Sequence, residues 1–408
     1  MKDQIAIWGA GVRGREAYYE LKKKFHIVGF LDSDIRKKDM EIVDGKRVLG
    51  QEVCVKDTLI VISCGKWLEV LQTLKGRGLK VLVDYIPYHM LLGKKICLHE
   101  MLDCFGTENT LLYLQEVKKH KKIALLYGNC QTEIIANMLE YNHDFESQYT
   151  LLRVPQVHLY RDEEQVEQIF YQNGIMGLVD LFIYQNVKEN NRFYTRLGTD
   201  TILEQVSDAC RKIPIHNIYF DGYFIQFEAD ENRYFENFLK KDFPYTDIFV
   251  NRFLEEGKNA DEIIKLLEDD ELVPEYRIIE RCEESIENLR QRERSVEVAI
   301  VDFIEDNYRE EQLFYTCNHP KNIVIYEYVK RILKTIGIEK TDKFTEEEMN
   351  MEFGTLGMAN SFPVFPCVIK ALGLKKYDTK AHISNVSSNL ITMDAYIREY
   401  IYRCYETE

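Results

Sequence analysis

Twice in this chain a short, continuously apolar run ends in a glycine turn and passes straight into a helix-spaced stretch. The first is QIAIW at 4–8 before Gly9-Ala10-Gly11, and the second is KIALLY at 122–127 before Gly128-Asn129-Cys130. A strand that is apolar on both sides needs cover on both faces, and a tight turn into a helix is how a parallel sheet acquires that cover. The pattern therefore predicts an α/β protein. Its restart at residue 122 predicts two domains, which agrees with 408 residues being too many for one ordinary core.

Around the first turn, the pattern predicts a helix over 13–24, strands over 27–31, 58–63 and 79–83, and a helix over 67–75. These make a nucleotide-binding-type domain over 1–95, followed by a helical connector over 96–120. The second domain, 121–408, starts with the strand 122–127 and a helix over 131–141, with further strands at 178–184 and 218–220. It carries a charge-rich helical insertion over about 230–312, a strand at 313–316, a helix over 322–336 and a C-terminal extension over about 340–408. The formal charge of −15 argues against nucleic acid as a partner, because phosphate backbones demand a surplus of Lys and Arg. No apolar run reaches the roughly 18 to 20 residues of a membrane span. The start, MKDQIAIWGAG, enters a strand without a signal-peptide pattern, so a cytoplasmic protein is expected. The ten cysteines form no C-x-x-C pair, which predicts free thiols and no metal site.

Gly9, Gly11 and Gly14 complete G-x-G-x-x-G between a strand and a helix, and Asp32 ends the next strand 18 residues later. Such glycines allow a tight turn and close backbone approach. The helix N-terminus offers N–H groups to a phosphate, and the acid can bond a ribose hydroxyl. A Rossmann-like parallel sheet is expected, with NAD or a nucleotide-sugar as its ligand; the plainer alternative is that the glycines serve only the turn. The stretch IAIWGAGVRGREAYYELKKKFHIVGFLDSD, with DGKRVLG and VISCG after it, resembles the N-terminal domains of PglD-type sugar acetyltransferases. That resemblance implies a nucleotide-sugar at the glycine loop.

At the second turn, Cys130 opens a helix, where the helix dipole and backbone N–H groups are expected to lower a thiol's pKa and to stabilise an oxyanion. Far downstream, His319 stands before Pro320, which predicts an extended loop position after a strand, suited to a general base. The plainer readings are a small residue in a tight turn and a surface histidine. The ordered segments YGNCQTEIIANML, FIYQNV, IPIHNIYFDGYF, LRQRE and VDFIEDNYREEQLFYTCNHP resemble the WcbI family over roughly 121–340. The resemblance implies an SGNH- or flavodoxin-like fold, coenzyme A or acetyl-CoA as ligand, and acetyltransferase-like chemistry in capsule biosynthesis. It puts Cys130 at the nucleophile position and His319 at the base position, with Asn129 and Gln185 helping an oxyanion hole. One departure stands out: the SGNH pattern has Asp three residues before the His, and here Thr316 stands there, with Asp221 as the substitute to consider.

Gly128, Gln131, Arg290 and Lys321 are candidates to meet coenzyme A, with Arg153 and Arg292 as further cations. Surface ion pairs are the plainer expectation for the charged ones. The cluster Tyr219, Phe220, Tyr223 and Phe224 reads as core before sugar platform. Together these readings predict an acyl, most simply acetyl, transferase acting on a sugar or nucleotide-sugar in surface-polysaccharide assembly. Peripheral association with that machinery and self-association are left open. The alternatives are a carbohydrate esterase with the same dyad, or a non-catalytic binder of coenzyme A and nucleotide-sugar.

Overall fold

The computed structural model describes residues 4–50, 58–92, 95–172, 174–191, 193–227, 243, 245–358, 360–383 and 389–406. The chain divides into two compact units. The first comprises Met1–Tyr127, Glu146–Ile183 and Val187–Lys212; the second comprises Gly128–Phe145, Tyr184–Asn186 and Ile213–Glu408.

The chain opens with β1 (Gln4–Trp8) and β2 (His26–Leu31), then a small hairpin of β3 (Glu41–Val43) and β4 (Lys46–Arg47), then β5 (Thr58–Ile62) and β6 (Tyr85–Pro87). Four of these form a parallel sheet in the order β2-β1-β5-β6. Ile5, Ala6 and Ile7 are fully buried, as continuous apolarity requires of a central strand. The strand order reverses at β1, and the glycine turn sits at that strand's carboxyl end, where open α/β sheets form a crevice. Gly9 adopts φ 127°, and a Cβ on Gly14 would lie 1.7 Å from the Gly9 carbonyl oxygen, so no other residue fits position 14. The strand expected at 79–83 is instead a turn, with the strand displaced to β6. Leu82 takes φ 64°, Asp84 accepts the Lys80 N–H at 2.9 Å and the Leu82 N–H bonds the Tyr85 carbonyl, closing the segment on itself.

A second sheet is ordered β11-β10-β8-β9-β7, from β7 (Ile96–Cys97), β8 (Lys122–Tyr127), β9 (Tyr149–Arg153), β10 (Leu181–Gln185) and β11 (Arg211–Ile215). β8 pairs parallel with β9, and β9 with β7. Every residue of β8 after Lys122 is buried, each aliphatic side chain contributing about 2 kcal/mol. Here too the order reverses at one strand, β8, and the Gly128 turn follows it directly. The strand expected at 218–220 is not formed. Its N–H groups go elsewhere, that of Ile218 to the Gln131 side chain and that of Phe220 to the Cys317 carbonyl. The strand lies earlier, in β11, at the sheet edge where Pro214 breaks no ladder bond.

The second unit is mainly helical. Gln131–Tyr141 packs on Asn322–Thr335, and both helices bury apolar side chains, Ile134, Ile135 and Leu139 on the one and Ile325, Val329 and Ile332 on the other. The charge-rich stretch forms Ile248–Glu255, Ala260–Leu267, Glu275–Glu293 and Val301–Asn307, while its part at 230–242 lies outside the described residues. Asp247 caps the first of these helices and Asn259 the second, the latter with Glu262 in a capping box. Phe220, Tyr223 and Phe224 are fully buried core residues rather than a sugar platform. Among the described residues, no helix is long and apolar enough to cross a membrane. The nine described cysteines are free thiols, and Cys54 lies outside the described residues.

Candidate active site

The turn after β8 is built for close approach. A Cβ on Gly128 would stand 2.5 Å from Oε1 of Gln185, the last residue of β10, so glycine is required there. That same oxygen accepts the Asn129 N–H at 2.8 Å. The Asn129 side chain points both ways along the turn: its Oδ1 accepts the Gln131 N–H at 3.1 Å and its Nδ2 donates to Asn217 Oδ1 at 2.9 Å. Cys130 stands between these anchors as N-cap of Gln131–Tyr141, with part of its surface open.

Gln131 is fully buried and works as a clamp. Its Nε2 lies 2.7 Å from Asn217 Oδ1, 2.8 Å from the Ile218 carbonyl and 2.8 Å from the Asn318 carbonyl, while its Oε1 accepts the Ile218 N–H at 3.0 Å. One side chain thus joins the residue after Cys130 to the residue before His319, although 187 positions separate Gln131 from Asn318. The sequence nominated Gln131 as a ligand contact; its burial makes it a positioning group.

His319 sits in a tight hairpin, β12 (Phe314–Thr316) with β13 (His319–Pro320), paired across from Thr316, rather than in an open loop. The hairpin turn is braced by Asn318 Oδ1, which accepts from Tyr245 Oη at 2.5 Å and Thr316 Oγ1 at 3.0 Å. Thr316, where an acid was looked for, is fully buried in this bracing. Asp221 pairs with Arg281 at 3.4 Å and its N–H donates to Ser285 Oγ.

The expectation of an acidified thiol is overturned. Burial pushes the Cys130 thiol up to about 11, and the N–H groups of Cys130 and Gln131 that pull it down do not offset this; the nearby Glu133 charge adds to the rise. The dipole argument failed because the turn that aims N–H groups at the sulfur also removes water from it.

Of the charged candidates, Arg290 is held by Glu287 at 2.9 Å and Glu305 at 2.6 Å, and Lys321 by Glu346 at 3.5 Å. Arg292 donates to the Tyr219 carbonyl at 3.1 Å. Arg153 closes β9, in the first unit. At the other glycine turn, Asp32 accepts the Ala10 N–H at 3.0 Å and the Asp34 N–H at 2.9 Å and pairs with Lys37 at 2.9 Å. Burial alone would raise its carboxyl, but these bonds from Asp34, Lys37 and Ala10 hold it below the usual range. Among the described residues, no cluster of His, Cys, Asp or Glu is placed to hold a metal ion.

Sequence reasoning passed over Asn217 and a buried pair beside it, His216 with Glu293 at 3.1 Å. The sequence signal for His216 and Asn217 was their place at the end of the apolar run IPI, while Glu293 stands in the charge-rich LRQRE, where its type marks nothing.

No curated protein matches the chain. A solved structure described as WcbI, a novel polysaccharide biosynthesis enzyme, in its native form without a disulfide bond between CoA and one of its cysteines, is similar at a TM-score of 0.56 and 17% identity. The likeness covers 69% of this chain and 89% of that one, and at that identity it speaks for the fold. The family model for the polysaccharide biosynthesis enzyme WcbI matches residues 123–341, more than half of the chain and every element of the turn and the hairpin just described. The chain belongs to the WcbI family of polysaccharide biosynthesis enzymes.

Proposed function

We propose that this protein transfers an acyl group, most simply acetyl, from coenzyme A to a hydroxyl of a sugar or nucleotide-sugar during surface-polysaccharide assembly. The observation that carries the reading is the Gln131 clamp. It ties the Cys130 turn to the residue before His319, which supports a thiol, an imidazole and strand-end N–H groups sharing one locale. The CoA of the solved WcbI structure supports the donor.

His319 takes the proton of the acceptor hydroxyl as its oxygen attacks the acetyl carbonyl carbon. The side-chain amides of Asn129 and Gln185 would steady the developing oxyanion, and the carbon–sulfur bond to the donor breaks. The leaving thiolate then takes the proton from His319, giving the sugar ester and the free thiol. With the Cys130 thiol pushed to about 11, little thiolate is present near neutral pH, which favours this direct route, with Cys130 lining the site, over a thioester on the sulfur.

The partly open Cys130 at the N-terminus of Gln131–Tyr141 fits the thiol end of such a donor. Lys321, with one ion pair, is better suited to its phosphates than Arg290, which has two. The glycine turn after β1 would take a nucleotide-sugar, with Gly9, Gly11 and Gly14 admitting its phosphates. Asp32 would serve there chiefly by holding the loop through Ala10.

Incubating the protein with acetyl-CoA and a panel of nucleotide-sugars tests the reading. Acetyl ester formation matched by release of free thiol is expected. Consumption of acetylated glycan with acetyl-CoA untouched would instead establish the esterase.

A further inference from the structure

His216 lies at the end of β11, next to Asn217, and its ring is almost fully buried. Both ring nitrogens face acceptors: Nδ1 is 3.1 Å from the Asn217 carbonyl oxygen and Nε2 is 3.1 Å from Glu293 Oε1. Glu293 Oε1 also accepts the N–H groups of Ile300 at 2.6 Å and Val301 at 2.8 Å, at the start of Val301–Asn307. The ring is therefore held at both nitrogens, on one side by a carboxyl group that the start of a helix fixes in place. The Tyr328 ring packs against it at 5.6 Å, and its hydroxyl accepts the His216 N–H.

The pair leads directly to the candidate site. The residue whose carbonyl His216 grips presents its side chain to the Cys130 turn, where Asn217 Oδ1 accepts from both Asn129 Nδ2 and Gln131 Nε2. These two residues flank Cys130. A buried pair of ionisable side chains is an expensive way to fill a core, one that apolar residues often replace without loss of stability, whereas fixing the direction of one amide oxygen needs a directional partner.

We propose that His216 is a positioning residue: held by Glu293, it fixes Asn217, and through Asn217 it sets the Asn129 and Gln131 side chains on either side of Cys130. The proposal rests on the Cys130 turn being the active site, but not on acetyl being the group transferred.

Two measurements on the full chain test it, and neither requires acyl transfer. In the first, nitrogen-15 histidine spectra, assigned through His216→Gln, should show both His216 ring nitrogens in hydrogen bonds. The Nε2 signal should move in Glu293→Gln, which keeps an oxygen for the Ile300 and Val301 N–H groups. In the second, iodoacetamide alkylation of Cys130 is followed on its peptide. His216→Gln and Asn217→Ala should each loosen the turn and speed alkylation about threefold or more, the scale of one lost hydrogen bond. The double variant should be no faster than the quicker single one, because both act through the same bond chain. A His216 Nε2 signal that Glu293→Gln leaves in place, or effects that multiply in the double variant, would overturn the proposal. A protein that passes both tests yet transfers no acetyl group leaves the positioning role standing and removes only the acetyltransferase.

Discussion

Gly128, Gln131 and Cys130 show how closely one turn is specified. A Cβ at Gly128 would press into the Gln185 amide, so Gly128→Ala should push that side chain off the Asn129 N–H and cost about 1–3 kcal/mol in denaturant unfolding. Gln131→Ala should cost more, about 3 kcal/mol, because it strands the Ile218 N–H and takes a donor from the Ile218 and Asn318 carbonyls at once, while Asn217 Oδ1 keeps its bond from Asn129. Near-normal stability in both variants would show that the turn is not held as described. Much of this was legible beforehand: a glycine, a polar residue and a thiol at the end of an apolar strand already marked the place. The thiol's titration was not, because strand and helix signals say nothing about how much water the folded turn excludes. Gln131 was read as a ligand contact for the same reason, since a sequence does not show which way a glutamine points.

Among the elements, the helix Ile248–Glu255 begins at a fully buried carboxyl. Asp247 Oδ1 accepts the N–H groups of Phe249 and Val250, yet burial raises the group to about 7, those two bonds pulling the other way without prevailing. An acid whose value is higher folded than unfolded leaves the folded state with more bound protons between its ordinary 3.8 and about 7. Its contribution to stability is therefore complete below that window and is lost as pH rises through about 7. Asp247→Asn keeps the cap oxygen and removes the charge, so its Tm should exceed that of the unsubstituted protein above about pH 7, and the gap should close as the pH falls. A gap that widens on acidification would contradict this. At this scale the strand at β1 and the helix Gln131–Tyr141 could be read directly, because unbroken apolar runs and 3.6-residue spacing are local properties. Positions 79–83 and 218–220 looked like strands for the same reason and are not. Whether an apolar segment joins a ladder depends on where its N–H groups find acceptors: for 79–83 the neighbouring Asp84 and Tyr85 supplied them, and for 218–220 the distant Gln131 and Cys317.

For the molecule as a whole, two parallel sheets each reverse strand order at the strand that precedes a glycine turn, β1 in one and β8 in the other. That repetition gives one chain two strand-end turns of the same architectural kind, which suits the proposed transferase, an enzyme that would hold a nucleotide-sugar and an acyl donor. Gly14→Ala drives a methyl into the Gly9 carbonyl and should abolish nucleotide-sugar binding measured by calorimetry, while coenzyme A binding stays within about twofold. Loss of both affinities together would argue against separate sites. The central claim is that Cys130 and His319 belong to a single acyl-transfer site, and the most direct check is the rate of acetyl transfer by His319→Ala and Cys130→Ala proteins that still bind coenzyme A. Loss of the general base should lower the rate about a hundredfold or more, and loss of a thiol that lines the site should lower it about tenfold. Full transfer by both variants would contradict the account.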